Sequence, residues 1–131
     1  MSYSVEKLPD EPIVIAHANN LYSAADDGVP LMQNMIDVLD EQKTPVYLIV
    51  DIAGLDLSLD ELLQSSAAAT RESQFFKHPK IIETIAVTDS SFLRLALQGL
   101  NTPAFGNVNI SVCERLEEAL VAARERIAAA G

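Results

Sequence analysis

Residues 46–52, Val-Tyr-Leu-Ile-Val-Asp-Ile, form a β-branched and aliphatic run without polar alternation. A strand that wets one face alternates apolar and polar side chains. An unbroken run therefore reads as a strand covered on both faces, as in a parallel sheet flanked by helices. This is the expected sheet centre. Asp51 closes the run, Gly54 turns the chain, and Ser58 with Glu61 has the spacing of a capping box that opens a helix expected over 59–76. In open α/β sheets, sites lie at such carboxyl ends of strands.

The rest of the chain fits the same scheme. Val5 and Leu8 suggest a short edge strand, and Pro9-Asp10-Glu11-Pro12 supplies a turn into a strand over 13–18, so an antiparallel pair is expected. Val29, Met32, Met35, Ile36 and Leu39 recur at helical spacing within 23–41. Pro30 is best tolerated in a first helical turn, which leaves 19–28 as a loop or a separate short turn before it. Pro79 disfavours helical geometry at His78, and 81–87 is the next strand. Thr88, Asp89, Ser90 and Ser91 are N-cap candidates ahead of Phe92, Leu93, Ala96, Leu97 and Leu100. A last strand is expected over 108–112. Ser111 and Glu114 repeat the capping-box spacing before a helix over 114–128 whose buried stripe is Leu116, Leu120, Ala123 and Ile127.

Repeated β-α alternation implies an α/β fold: a mostly parallel sheet of four or five strands, an N-terminal antiparallel hairpin strand, and helices mainly on one side. The 131 residues are read as a single domain over 1–131, with no repeat or linker. Nineteen acidic residues against nine basic ones give a formal charge of -10, which opposes binding to nucleic acid or anionic lipid. Cys113 is the only cysteine, so no intrachain disulfide forms, and no stretch has the apolar length of a membrane span or the form of a signal peptide. A cytoplasmic location is expected.

Asp51 could hold a cation or hydroxyl, or receive a phosphoryl group. The plainer reading is a carboxylate that accepts amide hydrogen bonds from the Ala53-Gly54 turn. A receiver-type site needs an acidic pair after the first parallel strand and a lysine after the last, where His17-Ala18-Asn19 and Ser111-Val112-Cys113 stand instead. No serine lies in a Gly-x-Ser-x-Gly elbow, no Cys/His group has zinc spacing, and the five glycines form no phosphate-binding loop. No catalytic residue, metal ligand or cofactor is expected. Cys113 before a helix reads as a small core residue or as a thiolate held by helix amides. His78 reads as a helix-end side chain, and His17 as an edge residue or a pocket-lining one. Ser65-Ser66-Ala67-Ala68-Ala69-Thr70 removes bulk from every side of its helix, which permits tight packing on the sheet or a groove for a partner or apolar ligand.

The early hairpin, the segment Leu48-Ile49-Val50-Asp51-Ile52-Ala53-Gly54-Leu55, Phe75-Phe76-Lys77-His78-Pro79-Lys80 before Ile85-Ala86-Val87, and the late Leu116-Glu117-Glu118-Ala119-Leu120 together resemble STAS-type domains of bacterial anti-sigma-factor antagonists. The likeness is closer to SpoIIAA-like proteins. It implies a cofactor-free regulatory domain that binds another protein, of kinase-like or anti-sigma type. In the antagonists a serine at the helix start after the Asp-containing strand is phosphorylated. Here Leu59-Asp60-Glu61-Leu62 stands in place of Asp-Ser-Ser-Gly, Ser58 is the nearby hydroxyl, and Asp60 carries a permanent negative charge at that position.

The expected role is thus non-enzymatic interaction or regulation, with Asp51, Gly54, Ser58, Asp60, Ser65 and Ser66 as binding or regulatory residues. The alternative is a small-molecule or lipid pocket between the 59–76 helix and the sheet. An enzyme would need Asp51, His17 or Asp89 to meet in a strand-end cleft. Exposed apolar helix faces would also suit a homodimer.

Overall fold

The computed structural model describes residues 3–18, 24–53, 79–91, 94–95 and 110–130. Five strands, β1 (Tyr3–Lys7), β2 (Ile13–Ala18), β3 (Val46–Asp51), β4 (Ile81–Val87) and β5 (Ile110–Cys113), lie side by side in that order. β1 is antiparallel to β2, and every other pairing is parallel. Helix α1 (Ala24–Glu41) joins β2 to β3, and α2 (Leu116–Ala130) follows β5.

The hairpin closes where expected. The Leu8 amide donates to the Ile13 carbonyl at 3.0 Å, and the Ile13 amide donates to that of Glu11 at 2.8 Å. Asp10 takes the left-handed conformation at φ 64°, which Asp tolerates better than bulky residues.

β3 has hydrogen-bonded neighbours on both sides and apolar cover on both faces, as its unalternating sequence requires. On one face Val14, Ala16, Val46 and Leu48 pack with Leu31, Met35 and Leu39 of α1. On the other, Ile13, Ile15, Tyr47, Ile49, Ile85 and Val87 pack with Ala119 and Ala123 of α2. Alanine at those two fully buried positions lets the α2 backbone approach the sheet closely. The two described helices therefore lie on opposite faces, and the residues that decide which face carries the majority, 54–78, 92–93 and 96–109, lie outside the described ones.

Two expectations need correction. Pro30 sits inside α1, since the helix begins at Ala24. A proline there removes one helical hydrogen bond and crowds the carbonyl four residues back, and burial of Leu31, Met35 and Leu39 offsets that cost. Ser111 is no helix cap: it lies within β5, and its hydroxyl donates to Glu83 Oε2 at 2.6 Å. α2 starts at Leu116, two residues later than expected.

Polar side chains fix α2 in place. Glu83, buried in β4, accepts from Ser111 with one carboxylate oxygen and meets Arg126 Nε at 3.0 Å with the other. Arg124 makes two hydrogen bonds to Glu11 on the hairpin turn, at 2.8 and 3.1 Å. On the opposite face, the fully buried Thr84 hydroxyl has no hydrogen-bond partner among the described residues.

Candidate functional site

The parallel strands end together, and their carboxyl edge gathers the chemistry-bearing residues. Register pairs His17 with Asp51, Asp51 with Val87, and Val87 with Cys113, so these four side chains share the α2 face of the sheet. The ladder continues past the strands: the Ile52 amide donates to the Val87 carbonyl at 3.0 Å, and the Thr88 amide to that of Cys113 at 2.9 Å.

Asp51 is held at both carboxylate oxygens. Oδ1 accepts the Ala53 amide at 3.2 Å, an Asx turn, and Oδ2 lies 3.0 Å from His17 Nδ1. The Asp51 side chain is 10% exposed and that of His17 46%, so solvent reaches the imidazole while the carboxylate is shielded. An ionised carboxylate only accepts hydrogen bonds, so Nδ1 is the donor of this contact, and in the neutral form of the ring Nε2 holds the lone pair.

At the next strand end, Thr88 is buried, and its hydroxyl accepts the Ser90 amide at 3.2 Å. The Ser90 carbonyl accepts from the Arg94 amide at 3.0 Å, which opens a helical turn at 91 in the segment where caps were expected. Asp89 is exposed and makes no hydrogen bond or ion pair with His17 or Asp51 among the described residues. Cys113 is half-buried, and burial first, then the nearby Glu118 charge, pushes its thiol above the ordinary range. That direction opposes a thiolate at this position and favours the reading as a small packed side chain.

Of the sequence-derived site residues, Asp51 is placed at the strand end as expected. Gly54, Ser58, Asp60, Ser65 and Ser66 lie outside the described residues, as do His78 and the expected pocket between 59–76 and the sheet. The direct His17–Asp51 contact was not read from sequence, because a parallel register has no local signature. Glu83 was also missed, although a carboxylate inside the apolar run Ile-Ile-Glu-Thr-Ile-Ala-Val signals a buried partner. Among the described residues no three His, Cys, Asp or Glu side chains gather as metal ligands, and no helix is long and apolar enough to cross a membrane.

No protein-family model matches the chain, and no curated protein does. Among solved structures it is similar to an uncharacterized protein of the DUF3478 family from Shewanella loihica PV-4, described as having a SpoIIAA-like fold. The TM-score is 0.58 at 16% identity, over 92% of this chain and 91% of that one. With its antiparallel first strand and four parallel strands in sequential order, the chain has a SpoIIAA-like α/β fold.

Proposed function

We propose that the chain is a cytoplasmic, non-enzymatic interaction domain that docks a partner protein at the carboxyl edge of its sheet, through the turn after β3 and residues 54–70. The observation that carries this reading is the use of Asp51. Its two oxygens are engaged by the Ala53 amide and by His17, so Asp51, the acidic group at the end of the central strand, works as a brace for the turn. A carboxylate used in this way holds the chain over 51–53, where β3 hands over to the proposed docking segment. The SpoIIAA-like fold and the small-residue run 65–70 agree with such a surface. With a formal charge of -10, the fitting partner presents a basic face.

The test is affinity capture from an extract of the source organism with wild type and Ser66→Arg, both checked by circular dichroism. A partner retained at near-stoichiometric amount by wild type and lost by the folded variant is the expected result. Equal retention by both would remove residues 54–70 from the docking surface.

A further inference from the structure

The use of Asp51 as a brace leaves its neighbour with an unspent capacity. His17 Nδ1 lies 3.0 Å from a shielded carboxylate on a half-exposed ring, and in the neutral form of that ring, with the Nδ1 proton directed at Asp51, Nε2 is the nucleophilic atom. The residue directly opposite on β1 is Ser4, which is exposed and small, so the cross-strand neighbour adds no bulk beside the ring. Glu6, next along the same face, is also exposed, where water weakens its field.

We propose that His17 is a modification site whose Nε2 accepts a phosphoryl group from a protein-borne phosphoryl donor. The Nε2 lone pair forms the N–P bond, and the donor's own bond to phosphorus breaks, its electron pair leaving with the donor. The Nδ1 proton stays in place, so the ring becomes a cation beside the Asp51 carboxylate. That ion pair stabilises the phosphoimidazolium, as a paired aspartate stabilises an imidazolium elsewhere. A small anionic donor meets the repulsion of a chain of charge -10 and has to be supplied in large excess, whereas a docked partner overcomes that repulsion through its contact surface, which favours a protein as the natural donor. The biological half of the proposal therefore rests on the docking reading.

The chemistry is tested without a partner, using potassium phosphoramidate on wild type, Asp51→Asn and His17→Gln, with phosphorus NMR to assign the isomer and mass spectrometry to assign the residue. Wild type is expected to carry phosphate on His17 at Nε2. Its formation should be about tenfold faster than in Asp51→Asn, the rate equivalent of roughly 1.4 kcal/mol of imidazolium stabilisation. Asparagine supplies no charge, and its amide can select the other tautomer. His17→Gln is expected to show no phosphate at position 17. An unmodified His17, an Nδ1 product, or equal rates with and without Asp51 would overturn the proposal. If Asp51→Asn does not fold, the comparison becomes wild type folded against wild type in urea, with the same excess expected and equal rates again fatal. A failure here leaves partner capture by wild type intact, and a failure of capture leaves this chemistry intact, so the two readings are separable.

Discussion

Replacing Arg126 with Met isolates what holds α2 to the sheet. Arg126 Nε meets Glu83 Oε1 at 3.0 Å, and Glu83 is buried, so the variant leaves a carboxylate under the helix with the Ser111 hydroxyl as its remaining partner among the described residues. Breaking a fully buried pair costs roughly 3–5 kcal/mol, because the remaining charge loses its compensation. The Arg126 side chain is 38% exposed, so water re-enters on that side and the expected loss falls to about 2 kcal/mol. In urea, where a small domain loses about 2 kcal/mol of stability per molar denaturant, the unfolding midpoint should drop by about 1 M. The double variant Glu83→Gln/Arg126→Met removes both charges and keeps an acceptor for Ser111, so it should recover to within about 1 kcal/mol of wild type. Circular dichroism at fixed pH, read as a double-mutant cycle, measures all four proteins. A single-variant loss under about 0.5 kcal/mol, or a double variant as weak as the summed singles, would refute the view that Glu83 is a compensated buried charge.

Thr84→Val keeps the shape of a fully buried side chain and deletes a hydroxyl that has no partner among the described residues, so it should raise stability by about 1 kcal/mol; a loss in urea unfolding would show that the hydroxyl is bonded. Cys113, its thiol raised by burial and by Glu118, should react with iodoacetamide at mildly alkaline pH more slowly in the folded chain than in urea. Its rate should climb only at higher pH, and equal rates would contradict the burial argument. Glu11 has its carboxyl lowered chiefly by the Arg124 hydrogen bond, so the stability this pair adds is present above the ordinary glutamate value and lost as pH falls through the lowered one. The difference in urea midpoint between wild type and Arg124→Gln should accordingly be constant near neutrality and vanish in acid, and a difference that persists below the carboxylate range would be inconsistent with it.

The layered architecture was legible because burial on both sides leaves a direct mark on composition. Val46 to Val50 could not alternate without exposing polar groups to a helix, and Leu116, Leu120, Ala123 and Ile127 could face the sheet only at helical spacing. Where local preference competed with tertiary contacts, local preference misled. Pro30 argued for a late start to α1, yet packing of the residues beyond it holds a helix that begins at Ala24. Ser111 and Glu114 matched a cap, yet Glu83 on the neighbouring strand claims the serine hydroxyl. The site divides the same way. Asp51 at a strand end and its turn amide are local and could be read in advance, whereas the His17 contact spans 34 positions and depends on a register set by the whole sheet.

Hydrogen exchange of the chain alone and with its captured partner tests the docking surface most directly. Slowed exchange confined to 52–70 and to the ends of β2 and β3, with α2 unchanged, is the expected footprint. Protection centred on α2, or none on the strand ends, would place the partner elsewhere and contradict a working face at the carboxyl edge.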